Sequence, residues 1–151
     1  MMPPIGEPAP DFSLPSTGGT ASLGAHKGRT SVLLAFFPLA FTSTCTAELC
    51  AFTNDYPEFE SKGVVVIGVS VDSVATLKEF KAKHAMTIDL ASDFRRDISR
   101  AYGVLNEEKF YSNRAYFLVD KAGVLRWSHV EAANGQRRDN GELLAAIASA
   151  A

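Results

Sequence analysis

The chain has 151 residues, 46% of them hydrophobic and 21% charged, with a formal net charge of −2 at pH 7. That is the length and composition of one globular domain with a sizeable core, and it excludes a disordered chain. Lysine and arginine are scattered without a basic stripe, which argues against nucleic-acid binding, and two cysteines are too few for a disulfide-stapled scaffold.

The opening MMPPIGEPAPDFSLP is proline-rich and carries no apolar core of the kind a secretory signal needs, so it is expected to be extended. The longest apolar run, residues 32–41, is too short to span a bilayer and contains Pro38. The expectation is a soluble, cytoplasmic protein with no membrane partner. Residues 16–23 (STGGTASL) read as a turn into a short strand. Residues 31–38 (SVLLAFFP) are apolar at successive positions, as in a strand buried on both faces.

From residue 43 to 60 the pattern becomes helical. Leu49, Phe52, Tyr56 and Phe59 recur at spacings of three and four. Pro57 lies inside that pattern and predicts a kink or break. Residues 63–72 (GVVVIGVSVD) form a second buried strand, and Ser73 is placed to cap a helix running to about Ala85. TIDLASD, residues 87–93, reads as a short edge strand. Residues 96–102 form a short helix stopped by Gly103. Residues 115–130 (AYFLVDKAGVLRWSHV) form two strands joined at Lys121-Ala122-Gly123, and residues 139–150 form a closing helix. The order β-α-β-α-β-β-α predicts an α/β thioredoxin-like fold, a central mixed sheet flanked by helices with an N-terminal extension, in one domain spanning 1–151. Fold alone does not give function.

Chemistry concentrates at FFPLAFTSTCTAELCAF, residues 36–52, which holds both cysteines. Cys45 falls in the first turn of the predicted helix. There the backbone N–H groups lack intrahelical partners and the macrodipole favours negative charge, so a thiolate nucleophile is stabilised. The alternative is an inert buried thiol. Thr42, three residues earlier, can cap the helix or hydrogen-bond to the sulfur or a bound oxygen. Pro38 either directs the loop or simply ends the strand. On an intact helix, Cα atoms five residues apart lie about 8 to 9 Å from each other. A disulfide needs less than about 7 Å, so Cys45 and Cys50 bond only if the helix unwinds. Otherwise Cys50 is a core residue. The three histidines are scattered and no C-x-x-C is present, which speaks against a metal site and against a simple thiol–disulfide exchanger.

Residues 38–45 read P-x-x-x-T-x-x-C. This resembles the active-site signature of the peroxiredoxins, thiol peroxidases built on an extended thioredoxin fold. GEPAPDFSLPSTGG, VVVIGVSVDS and SNRAYFLVDKAGVLRW are similar to that family's opening, second core strand and arginine-bearing hairpin. The resemblance implies a peroxidatic Cys45, with Thr42 bonded to peroxide and thiolate and Pro38 shielding the site. It implies that Arg114 stabilises the thiolate and the transition state and that Glu48 orients Arg114. Read alone, Arg114 is a strand-end residue and Glu48 a favourable acid in a first helical turn. Hydrogen peroxide or an alkyl hydroperoxide would be the substrate, thioredoxin or a glutaredoxin-like protein the reductant, with no cofactor and no metal, and the protein a monomer or homodimer. FFPLAFTSTCTAEL and AYGVLNEE look like the alkyl hydroperoxide reductase E type. C-x₄-C is similar to the bacterioferritin-comigratory-protein (Q-type) subgroup, whose resolving cysteine lies in this helix. An atypical two-cysteine enzyme is favoured, with a one-cysteine enzyme, a thiol–disulfide oxidoreductase or a redox sensor as alternatives. Phe37, Phe41 and Phe110 are candidates for an apolar entrance or for the core.

Overall fold

The computed structural model describes residues 2–150. Two buried parallel strands form its centre. Strand β3 (Ser31–Phe36) pairs in parallel with β4 (Val64–Ser70), joined by helix α1 (Ser43–Ser61). Both faces of β3 are covered, so its letters show no polar–apolar alternation, yet its side chains alternate between two cores. Leu33, Ala35 and Phe37 enter one core cluster, with α1 residues Leu49, Phe52 and Phe59. Val32, Leu34 and Phe36 enter the other. Burying one such side chain contributes about 1.5–3 kcal/mol.

Helix α2 (Val74–Lys83) follows β4, and the Ser73 hydroxyl accepts the Thr76 N–H as its cap. It stops two residues short of the expected end. Strand β5 (Asp89–Ser92) pairs in parallel with β4. The hairpin of β8 (Ala115–Val119) and β9 (Leu125–Val130) adds antiparallel to the other side of β3. Helix α4 (Asn140–Ala150) closes the chain against α1. Gly68 lies where a Cβ would meet Leu90 Cδ2 at 2.8 Å, so a side chain there would have to push the Leu90 methyl aside.

The structure corrects the sequence reading in four places. The segment 13–22 forms a hairpin, β1 (Ser13–Ser16) with β2 (Gly19–Ser22), instead of a turn into one strand. That hairpin docks on β5 through Ser16 and Ala91, so β5 is an interior strand of a seven-stranded sheet and β2 and β9 are the edges. A tie explains the docking: both Asp89 carboxylate oxygens accept hydrogen bonds from Ser16, Thr17 and Gly18. Helix α1 runs through Pro57 without a break. Pro57 is exposed, so the Thr53 carbonyl that loses its donor can turn to water, while Phe52 and Phe59 hold the helix on the sheet. Finally, a small second sheet, β6 (Leu105–Asn106) with β7 (Tyr111–Ser112), lies between the short helix α3 (Asp97–Ala101) and the hairpin. Among the described residues no helix is long and apolar enough to cross a membrane.

Candidate active site

The site forms where β3 ends and α1 begins. Two side chains fix the connecting loop from below. Asp72, after β4, accepts the Ala40 N–H at 2.8 Å, and the Ser112 hydroxyl donates to the Phe37 carbonyl at 3.1 Å. Phe41 then adopts a left-handed backbone (φ 67°), an uncommon state for an aromatic residue that reverses the chain into the helix. Thr42 is the N-cap in extended conformation, and Cys45 is the third helical residue. Pro38 is buried behind the loop.

Cys45 has 0% exposure. Arg114, at the residue before β8, reaches it: Nη2 donates to the sulfur at 3.0 Å. The same guanidinium donates from Nη1 to Glu48 Oε1 at 2.8 Å and from Nε and Nη2 to the Asn134 carbonyl at 3.3 and 3.1 Å. Arg114 and Glu48 are each 1% exposed. Burial works against the Arg114 charge, but Glu48 and Cys45 outweigh it and hold the guanidinium above its ordinary value. Burial pushes the Glu48 carboxyl upward, opposed by the Arg114 charge and by hydrogen bonds from Tyr116 and Arg114. An anion beside Arg114 thus shares one buried cation with Glu48, in the geometry that makes charge-assisted hydrogen bonds strong.

A cleft of about 240 Å³ reaches Arg114 and is otherwise lined by Pro38, Leu39, Thr42, Ser43, Thr44, Tyr111, Asn134 and Gly135. The structure brings Pro38, Thr42, Cys45, Glu48 and Arg114 together. The Thr42 side chain does not cap α1, as one reading of the sequence expected. Its hydroxyl donates to the Leu39 carbonyl at 2.8 Å, which leaves its lone pairs free to accept. Phe37, Phe41 and Phe110 do not form an entrance. Phe37 lies in the core, Phe41 packs at a tilt against Phe80, and Phe110 lies under Arg96. Cys50 is one turn further on, half-buried at the edge of the core, and both thiols are free.

Three contributors escaped the sequence reading. Tyr116 donates to Glu48 Oε2. Its signal was present, since strand alternation puts residues 114, 116 and 118 on one face. Tyr111 carried no periodic signal, lying in a two-residue strand. Asn134 acts through its carbonyl, which no side-chain pattern reveals. Among the described residues no cluster of histidine, cysteine and acidic side chains could hold a metal.

The model of the AhpC/TSA family matches residues 5–128. Alkyl hydroperoxide reductase E of Mycobacterium tuberculosis is 37% identical over 130 residues, covering 84% of this chain and 85% of the relative. Peroxiredoxin-2 of Pongo abelii is 37% identical over 133 residues, covering 81% of this chain and 75% of the relative. The reduced 2-Cys peroxiredoxin of Plasmodium vivax superposes with a TM-score of 0.89 at 31% identity, covering 95% of this chain and 80% of the other. The family model's match across residues 5–128, together with relatives 37% identical over more than four-fifths of the chain, establishes that the chain belongs to the AhpC/TSA family, the family of the peroxiredoxins.

Proposed function

We propose that this peroxiredoxin reduces hydrogen peroxide and organic hydroperoxides with Cys45 as its nucleophile, acting within one domain that spans residues 1–151. Peroxidase activity is the class that the family carries; the residue roles are our reading. The observation that supports them best is the Arg114 Nη2 at 3.0 Å from the Cys45 sulfur inside a buried pair with Glu48.

In this reading the Cys45 thiolate attacks one peroxide oxygen. The S–O bond forms as the O–O bond breaks, and the departing oxygen leaves as alkoxide or hydroxide and takes up a proton. Negative charge grows on that oxygen, where Arg114 and the first-turn amides of α1 can donate to it. Thr42, its own proton engaged on Leu39, accepts from the peroxide O–H and aligns it. Pro38 walls the cleft and limits water. Glu48 holds Arg114 in plane. The product is a cysteine sulfenic acid.

Cys50 then condenses with it, forming a disulfide and releasing water. Continuous helix across both cysteines forbids that bond, so the first turns of α1 must open first. Thioredoxin or a similar dithiol protein reduces the disulfide. An external thiol resolving Cys45 directly is the second reading, supported by the same intact helix. The test is NADPH-coupled turnover of hydrogen peroxide and an alkyl hydroperoxide, with thioredoxin, glutaredoxin and low-molecular-weight thiols in parallel. Multiple turnovers with at least one reductant, lost in Cys45→Ser, are expected. Turnover that survives Cys45→Ser, or consumption of a single equivalent under every reductant, would remove the assignment.

A further inference from the structure

Tyr116 is the second residue of β8 and has 0% exposure. Packing alone would accept any large apolar residue there, as Leu118 shows two positions on. A buried hydroxyl destabilises unless it is bonded, and this one is bonded on both sides. It donates to Glu48 Oε2 and accepts the Arg138 backbone N–H at 3.1 Å. Glu48 therefore has one oxygen on Arg114 and the other on Tyr116. Arg138 is anchored in turn, donating to Glu131 at 3.0 Å and to Glu142 at 3.0 Å.

We propose that Tyr116 is a positioning residue for the peroxide reaction, its hydroxyl fixing the Glu48 carboxylate and, through it, the Arg114 guanidinium on the Cys45 sulfur. The proposal rests on the reading of Cys45 as the peroxide nucleophile. An arginine with a single fixed acceptor can swing about it. Here Glu48 and the Asn134 carbonyl hold the fork at two points, and Nη2 is left aimed at sulfur. Without the Tyr116 hydroxyl, Glu48 keeps only its one bond to Arg114 and can rotate with it.

The charged and titratable groups around Glu48 are Cys45 on its own helix, Arg114 and Tyr116 on the hairpin side, and Arg137 on the loop before α4. Burial already raises the carboxyl, and the tyrosine hydroxyl favours the ionised form. Ionised Glu48 is present above its folded value and is lost as the pH falls through it. Removing the donor makes that loss set in at higher pH.

The test measures the rate of Cys45 sulfenic acid formation, trapped with a sulfenate-selective reagent, from acid to neutral pH. Wild type is compared with Tyr116→Phe, Glu48→Gln, the double variant and protein carrying 3-fluorotyrosine at position 116. Tyr116→Phe should lower the rate on the order of ten-fold, the loss expected from one hydrogen bond to a charged group. The part of the pH profile that Glu48→Gln abolishes should move to higher pH in Tyr116→Phe and to lower pH with the more acidic fluorotyrosine. Tyr116→Phe should add nothing in the Glu48→Gln background. Additive losses, or a profile unmoved while thermal stability falls, would reduce Tyr116 to a structural residue. If Tyr116→Phe fails to fold, the fluorotyrosine shift decides. Absence of any sulfenic acid in wild type would instead sink the peroxidase reading itself, and this proposal with it.

Discussion

Arg114 and Cys45 lie 69 residues apart in the chain and 3.0 Å apart in space. The contact exists because β8 lies antiparallel beside β3, with Ala115 opposite Phe36. That register places the residue before β8 beside the loop that leaves β3. The cysteine is local to one strand–helix turn, whereas its cation is supplied by the sheet.

Replacing Arg114 by lysine keeps the charge and loses the planar fork. One ammonium cannot serve Glu48, Asn134 and the sulfur together in the same geometry. We expect sulfenic acid formation at Cys45 to slow by about 100-fold, the size typical of losing one preorganised donor. Rapid-quench trapping measures it. A rate within two-fold of wild type, on a folded variant, would show that the guanidinium geometry is irrelevant to the reaction.

Glu48 gives stability a pH signature. Its folded carboxyl is raised above the unfolded value, so the folded state binds more protons in that window. The associated stability is present at low pH and lost as the pH rises through the folded value. Glu48→Gln lacks this loss. The stability advantage of wild type over Glu48→Gln should therefore shrink as the pH rises from the ordinary carboxylate range toward neutrality. Urea unfolding of both proteins at a series of pH values tests it, and an advantage that grows with pH would mean that Arg114 and Tyr116 dominate over burial.

Much of this was legible in the letters, for physical reasons. The buried strands announce themselves as unbroken apolar runs, and helix α1 shows its 3.6-residue period at Leu49, Phe52 and Phe59. The location of Cys45 in a first helical turn follows from local pattern alone. What was not legible depends on contacts between distant segments. The interior position of β5 comes from the Asp89 tie to residues 16–18, and the Asn134 carbonyl comes from a loop's path. Pro57 shows the opposite limit: a strong local rule yields where the rest of the helix is held by buried aromatics.

Pro57 also offers a stability test. Pro57→Ala restores a donor to the Thr53 carbonyl and removes the ring's crowding at an exposed position. Stability should rise by about 1–2 kcal/mol, less than the full proline penalty because the unfolded chain also gains freedom. Peroxide reactivity should not change. A destabilised Pro57→Ala would indicate that the proline fixes a helix curvature on which packing depends.

The proposed Cys45–Cys50 disulfide requires α1 to open, which predicts a difference in dynamics between redox states. Amide hydrogen exchange over residues 42–55 should be faster in the disulfide form than in the reduced form, with β3 and β4 unchanged. Cys50→Ser should form sulfenic acid at the wild-type rate but over-oxidise more readily, because the sulfenic acid persists longer. Equal exchange in the two redox states would mean that Cys50 does not resolve Cys45 within the chain.

The central claim is that Cys45 is the atom that peroxide meets. The most direct measurement is peptide mapping by mass spectrometry after one equivalent of hydrogen peroxide, on wild type and on Cys50→Ser. The account predicts a Cys45–Cys50 disulfide in wild type and a trapped sulfenic acid confined to Cys45 in Cys50→Ser. Sulfenic acid at Cys45 in wild type with no internal disulfide would favour the one-cysteine route. Peroxide consumed while Cys45 remains a free thiol would contradict the account.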